Sequence, residues 1–216
     1  MDPRIQFDLE RREMVDQLRA KGIQGTRVLE AMERVPRERF MPSGVRHQAY
    51  ADRALPIGQE QTISQPYIVA VMTEALQLTG GERVLDVGTG SGYQAAVLAE
   101  LAQSVVSIER HAELSRRAQE ALDSCGYRNV QLVVGDGTQG WPAAAPYDRI
   151  LVAAAAREIP PALVEQLAEG GTLVIPVGGA SGQELQAFRK VNGQLVAHWL
   201  TGCRFVPLVG PGNEPV

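Results

Sequence analysis

The sequence predicts an α/β protein in which a doubly wound, mostly parallel sheet ends in an antiparallel hairpin and follows a helical N-terminal segment. Three observations predict it. From about residue 80 onward, short aliphatic runs alternate with helical stretches long enough to cross between parallel strands. Before that point the apolar residues recur at helical spacing. Near the C-terminus two strand-like runs flank Asn192-Gly193, a dipeptide suited to a tight hairpin turn.

The elements follow in order. Residues 7–21 are heavily charged but carry Met14, Val15 and Leu18 on one side, and Gly22 stops the helix. Thr26 is placed to cap a second helix bearing Val28, Leu29, Met32 and Val35, which must end by Pro36. Ile68, Val71, Met72, Ala75 and Leu76 form one buried helical stripe. Strands are predicted at 83–88, 104–109, 130–134, 148–154 and 172–177, with helices over 91–102, 112–122 and 162–168 as crossovers. The last helix sits between Pro160-Pro161 and Gly170-Gly171, which start and stop it. Runs 185–191 and 194–201 make the hairpin. One domain over 1–216 is expected, divided into an N-terminal helical segment (1–79), a ligand-binding core (80–178) and a hairpin with tail (179–216).

Composition excludes several function classes. With 44% hydrophobic and 21% charged residues the chain is an ordinary globular one. Lys+Arg 21 against Asp+Glu 25 gives a net charge of −4, so no overall positive field gathers a polyanion, and nucleic acid is not an expected partner. The longest aliphatic run, Ile150 to Ala156, is far short of the roughly 20 residues of a bilayer span. The N-terminus is charged throughout and lacks the apolar stretch of a signal peptide, so no membrane partner and a cytoplasmic location are expected. Cys125 and Cys203 show no metal-ligand spacing, and reduced cysteines with no bound metal are expected. Nothing in the sequence specifies an oligomeric state.

The chemistry concentrates after the first core strand, in Asp86-Val87-Gly88-Thr89-Gly90-Ser91-Gly92. Glycines there let backbone approach a ligand closely and turn tightly into a helix. A dinucleotide fingerprint would need a third glycine at 93, where Tyr93 stands. A carboxylate at Asp86 opposes a pyrophosphate but suits a cation, such as a methionine-derived amino group and sulfonium. Glu109 ends the second strand, near the spacing at which an acid accepts ribose hydroxyls. After the third strand, the Asp136 carboxylate or the amides around Gly137 are placed to hold an adenine edge.

Together these features resemble the Rossmann-like S-adenosylmethionine-dependent methyltransferases over about residues 80 to 178. The fourth strand is followed by small residues, not by the Asp/Asn-Pro-Pro-aromatic motif of exocyclic amine methyltransferases, which argues against a nucleobase acceptor. Ahead of the striped helix, Leu55-Pro56-Ile57-Gly58-Gln59-Glu60-Gln61-Thr62-Ile63-Ser64-Gln65-Pro66-Tyr67 resembles the protein-L-isoaspartate O-methyltransferase family. Val35 to Phe40, Val134 to Thr138, Ala145 to Asp148 and Gln166 to Gly178 extend that likeness over most of the chain.

The resemblance implies a cytosolic repair enzyme that methylates the free carboxylate of isoaspartyl residues in unfolded or flexible proteins. The ester would then close to a succinimide without further help. It also implies S-adenosyl-L-methionine as cofactor, Ser64 as the active-site residue, and Gln61 and Thr62 against the cofactor, and it makes residues 1–79 the part that selects the acceptor. Ser64, ahead of Gln65-Pro66, also reads as a helix N-cap, a role that needs no substrate. Val206-Pro207-Leu208 matches the family, but the tail from Gly210 lacks polar contacts and no C-terminal role in cofactor binding is expected. A carboxylate acceptor is already ionised near neutral pH and needs no general base. His47, His111 and His198, scattered without partners, are accordingly read as surface or packing residues. Three other readings stay open at this point: a methyltransferase for small molecules, a non-catalytic S-adenosylmethionine-binding protein, and a nicotinamide oxidoreductase.

Overall fold

The computed structural model describes residues 3–179 and 181–210. Its N-terminal part comprises helices α1 (Pro3–Ala20) and α2 (Thr26–Arg34), 3-10 turns at Arg37–Phe40 and Ser43–Gln48, a small hairpin of β1 (Leu55–Gly58) and β2 (Gln61–Ile63), and helix α3 (Pro66–Ala75). Thr26 does not cap α2. The N-cap is Gly25, and the Glu74 carboxylate of α3 accepts the amides of Gln24 and Gly25 in place of a local hydroxyl. A remote acid thus holds the chain entering α2 and ties α2 to α3.

The main sheet contains β3 (Arg83–Val87), β4 (Ser104–Glu109), β5 (Val130–Val134), β6 (Tyr147–Val152), β7 (Leu167–Gly179), β8 (Gly182–Val191) and β9 (Gln194–Cys203). Its spatial order is β5-β4-β3-β6-β7-β8-β9, parallel through β7 and antiparallel from β7 to β9. Helices α4 (Tyr93–Ala99), α5 (Ala112–Cys125) and α6 (Pro161–Gln166) cross between the parallel strands. The chain winds outward from β3 to β5, then returns to the other side of β3. The strand order therefore reverses between β3 and β6, where such sheets open a binding crevice.

Several boundaries differ from the periodicity, and two of them have a clear physical cause. Helix α4 begins at Tyr93 and not at Ser91, because the turn closes only at Gly92, whose φ of +87° no helix interior accepts. Helix α6 ends at Gln166, and the predicted helical residues Leu167 and Ala168 already lie in β7. Pairing of Leu167 with Tyr147 on β6 outweighs the helical preference of this short run.

Strand alternation divides the core. Val84, Val105, Leu151 and Val174 meet Met72 and Leu76 of the α3 side and Leu98 of α4. Leu85, Val87, Ile108, Ile150, Val152 and Leu173 face the opposite way and pack on Leu163 of α6. Burial on both faces explains why these strands read as unbroken aliphatic runs. The N-terminal segment shares a third cluster with the helices beyond the sheet: Met14, Leu18, Leu29, Met32, Ile57 and Ile63 pack with Tyr93, Val97 and Leu114. The small hairpin is thereby set beside the start of α4.

Candidate active site

The loop after β3 is shaped by its glycines and held by the neighbouring strands. Gly88, Gly90 and Gly92 have φ of +97°, +53° and +87°. The amides of Gly88 and Thr89 both donate to the Ile108 carbonyl, at 2.9 and 3.1 Å, so the loop continues the β3–β4 ladder before it turns. A Cβ on Gly92 would stand 3.1 Å from the Ala118 side chain, so α5 approaches the loop closely there. Glu109 supplies the side-chain tie: Oε2 accepts the Gly90 amide at 2.8 Å and Oε1 accepts the His111 amide at 2.9 Å.

A cavity of about 640 Å³ opens at this switch point, within the usual size range of small-molecule sites. Of the residues singled out in the sequence, Gln61, Thr62, Ser64, Gly88, Gly90, Glu109 and Gly137 border it. Asp86, Gly92 and Asp136 are not among its lining residues.

Asp86, expected as the partner of a cation, stands behind the loop and does not line the cavity. Asp86 points with Val84 toward the α3–α4 side, and it is fully buried. Its Oδ2 accepts the Ser107 hydroxyl at 2.7 Å, and Ser107 Oγ lies 2.6 Å from Thr89 Oγ1 in the loop. Oδ1 has no hydrogen-bond partner among the described residues. Burial pushes the carboxyl up to about 7, with the Ser107 hydrogen bond opposing and the Glu109 charge adding to the rise. Asp86 thus acts on the loop from behind, through Ser107 and Thr89.

For Asp136 the carboxylate and the adjacent amides part company. Its Oδ1 caps its own turn, accepting Thr138 N at 2.9 Å and Thr138 Oγ1 at 2.7 Å. The adjacent Gly137 borders the cavity, and a Cβ there would come within 2.4 Å of Val87 Cγ1. The backbone after Asp136 reaches the site where its carboxylate does not.

The facing wall comes from the small hairpin. At its tip Gly58, Gln59 and Glu60 all have positive φ, at +97°, +53° and +56°. Gln59 Nε2 donates to Glu113 Oε2 of α5 at 2.7 Å, anchoring the tip across the loop. Beyond β2, Ser64 lies partly buried on the cavity wall, and its carbonyl accepts Arg37 Nη2 at 2.7 Å. Ser64 is not the helix cap. The N-cap of α3 is Gln65, and Asp52 Oδ1 accepts the Tyr67 amide at 3.0 Å in the role expected of the Ser64 hydroxyl. Among the described residues no hydrogen bond engages Ser64 Oγ.

The third wall was missed in the sequence. Gly202 to Val209 line the cavity, docked by Ala155 N to the Val206 carbonyl at 2.8 Å and Leu208 N to the Ala155 carbonyl at 2.7 Å. The chain just ahead of the tail therefore forms part of the cavity wall, while the tail itself, doubted as a cofactor contact, lies outside the described residues over 211–216. Val206-Pro207-Leu208 carried the available signal. His111 also borders the cavity, as N-cap of α5, whereas His47 and His198 are exposed away from it. Cys125 and Cys203 are free, and no group of residues able to hold a metal ion occurs among the described residues. No described helix is long and apolar enough to cross a membrane.

Comparison with known proteins adds to this geometry. A family model described as protein-L-isoaspartate(D-aspartate) O-methyltransferase matches residues 9–213. A protein-L-isoaspartate O-methyltransferase 2 of Geotalea uraniireducens (strain Rf4) is 54% identical over 208 residues, which is 95% of this chain and 96% of that one. A solved protein-L-isoaspartate O-methyltransferase superposes with a TM-score of 0.85 at 31% identity, covering 94% of this chain and 67% of its own. A Plasmodium falciparum protein assigned to the same enzyme class, solved in complex with S-adenosyl-L-homocysteine, gives 0.82 at 26% identity over 92% of this chain and 98% of that one.

Proposed function

The chain belongs to the protein-L-isoaspartate(D-aspartate) O-methyltransferase family, and from that premise we infer that it transfers the methyl group of S-adenosylmethionine to the free carboxylate of isoaspartyl residues in damaged proteins. One observation carries the reading at the level of the site. The glycine loop and the Thr62-Ile63-Ser64 segment, far apart in sequence, face one cavity.

The residues present fit the cofactor. Bare backbone at Gly88 and Gly90 allows close approach of its amino-acid part, and the Glu109 carboxylate is placed to accept ribose hydroxyls. Val87, Ile108 and Leu208 give an apolar surface beside Gly137 for a flat base. Gln61 and Thr62 close the site from the hairpin, and the buried Asp86 contributes negative potential behind the loop. When bound, S-adenosylmethionine supplies an electrophilic methyl group on a positively charged sulfur.

The protein's part in the reaction is positioning. An isoaspartyl carboxylate is ionised near neutral pH, so no residue must remove a proton. The Ser64 hydroxyl, uncommitted among the described residues, donates to one carboxylate oxygen and leaves the other free to attack. Ile63, Val69 and Ala154 line the cavity beside these groups, an apolar surround that would favour oriented attack by a desolvated carboxylate once the substrate fills it. Flexible or unfolded chains are the proposed substrates and the cytoplasm the proposed setting, in keeping with the two free cysteines. We read residues 1–216 as one working unit, because the acceptor segment and the cofactor core each supply only part of the cavity wall.

The test is methyl incorporation into isoaspartyl and normal aspartyl versions of one peptide. Labelling of the isoaspartyl version alone is expected; equal labelling, or none, overturns the assignment.

A further inference from the structure

Arg37, in the 3-10 turn after α2, is the largest fully buried side chain, with 0% of its surface exposed. Its Nε donates to the Ala49 carbonyl at 2.8 Å and its Nη2 to the Ser64 carbonyl at 2.7 Å. The guanidinium lies over the Tyr93 ring, with Cζ 4.7 Å from the ring centroid. Tyr93 follows Gly92, opens α4 and borders the cavity. One side chain therefore joins the acceptor segment to the end of the glycine loop.

No carboxylate pairs directly with this charge among the described residues, and only Asp52 favours it from a distance. Glu38 is engaged by the Tyr50 hydroxyl and faces Arg11, and Asp52 is engaged by Lys21, Gln65 and the Tyr67 amide. Among the described residues, Arg37 Nη1 and the Tyr93 hydroxyl, both buried, complete no hydrogen bond. A buried cation without a directly paired counter-ion is costly to keep, and holding two neutral carbonyls does not require a full charge. An anion arriving at the neighbouring cavity offsets that cost.

We propose that Arg37 is a positioning residue for methyl transfer: it fixes the Ser64 backbone against Tyr93 and holds, behind the acceptor segment, the positive charge that a carboxylate substrate offsets. The proposal deepens the acceptor-site reading above and rests on it. Arg37 touches no substrate itself; Ser64 and Tyr93 transmit its effect to the cavity.

The test uses the full chain with Arg37→Lys, Arg37→Met, Tyr93→Phe and Ser64→Ala. For each, kcat and KM for an isoaspartyl peptide, affinity for S-adenosylhomocysteine by calorimetry, and folded fraction are measured. Lysine keeps the charge but lacks the planar fork that spans two carbonyls. Its kcat should fall by about tenfold or more, a misplacement effect, while S-adenosylhomocysteine affinity stays within about twofold. Methionine removes the charge as well and should add a rise of several-fold in peptide KM. Tyr93→Phe should show a smaller KM rise with kcat nearly kept. If Arg37→Lys and Tyr93→Phe both keep wild-type kcat and KM per folded molecule, the proposal is overturned even if they unfold at lower temperature. Should Arg37→Met fail to fold, the lysine and phenylalanine variants decide. Loss in Ser64→Ala with none in Arg37→Lys defeats the Arg37 proposal and keeps the Ser64 reading. The converse defeats the hydroxyl role of Ser64 and leaves Arg37 as the holder of the segment's backbone.

Discussion

The glycine loop and the acceptor segment face each other across one cavity, yet different forces hold them. The loop is an extension of the sheet: Gly88 and Thr89 continue the ladder onto Ile108, and Ala153 N donates to the Val87 carbonyl at 2.8 Å on the other side. The acceptor segment belongs to an isolated two-stranded hairpin, which alone would be marginal in water. It is kept in place by side chains from elsewhere, namely Arg37 on Ser64, Asp52 on Tyr67 and Gln65, and Arg117 Nη1 on the Ile57 carbonyl at 2.9 Å. Single side-chain substitutions should therefore disturb the acceptor wall readily. On the cofactor wall they should matter only at the few places where a side chain, and not the ladder, holds the loop.

Glu109 is such a place and gives the largest expected effect. Glu109→Ala removes the acceptors for Gly90 N and His111 N together with the proposed ribose contact. Charge-assisted hydrogen bonds of this kind contribute about 1.5–3 kcal/mol, so affinity for S-adenosylhomocysteine should fall by about 100-fold. Calorimetry showing a loss below about threefold would mean that the backbone ladder alone orders the loop. Ser64→Ala probes the opposite wall. Methyl transfer should slow about tenfold, the scale of one hydrogen bond, with cofactor affinity nearly unchanged. A fall in thermal stability at wild-type kcat would deny the hydroxyl a substrate role.

The same contrast decides what could be read from the sequence. The sheet order and the glycine loop follow from local signals, because aliphatic runs, crossover lengths and bare glycines specify them within short windows. Asp86 was visible as a residue but not as a geometry: strand alternation turns it away from the cavity, and only the β4 partner Ser107 shows where it points. On the acceptor side, local composition did not announce a cavity wall, and family resemblance alone singled out Ser64. The N-caps expected at Thr26 and Ser64 fail because distant acids organise both helix starts: Glu74 holds the amides just ahead of α2, and Asp52 accepts the Tyr67 amide within α3. Gly202 to Val209 stayed hidden because their docking on Ala155 depends on tertiary placement.

Asp52 makes that tertiary capping measurable. Asp52→Ala deletes the acceptor of Tyr67 N and the Gln65 contact, and it should cost about 1–2 kcal/mol of stability, the usual range for a lost cap. For a chain of this size that lowers Tm by roughly 2–4 °C per kcal/mol in a calorimetric scan. S-adenosylhomocysteine affinity should be retained, because the loop is held from the sheet. An equal loss in cofactor binding would erase the distinction between the two walls.

The smallest expected effect tests Asp86 through pH. Its carboxyl is raised from 3.8 to about 7 in the folded chain, chiefly by burial. The folded state therefore holds a proton that the unfolded state has released between about pH 4 and 7, so the contribution of Asp86 to stability is full below that window and is lost as pH rises through it. A cationic cofactor pulls the other way, since the ionised carboxylate favours the positive charge. Affinity for S-adenosylmethionine should then rise a few-fold, and by no more than about tenfold, between pH 6 and 8. Asp86→Asn cannot ionise and leaves one buried polar atom unpaired, as the carboxylate does. It should flatten the affinity profile and remove the decline in ligand-free stability across the window, giving a variant relatively more stable at pH 8 but weaker in binding. Parallel pH profiles for variant and wild type would show that the negative charge behind the glycine loop plays no part in holding the cation.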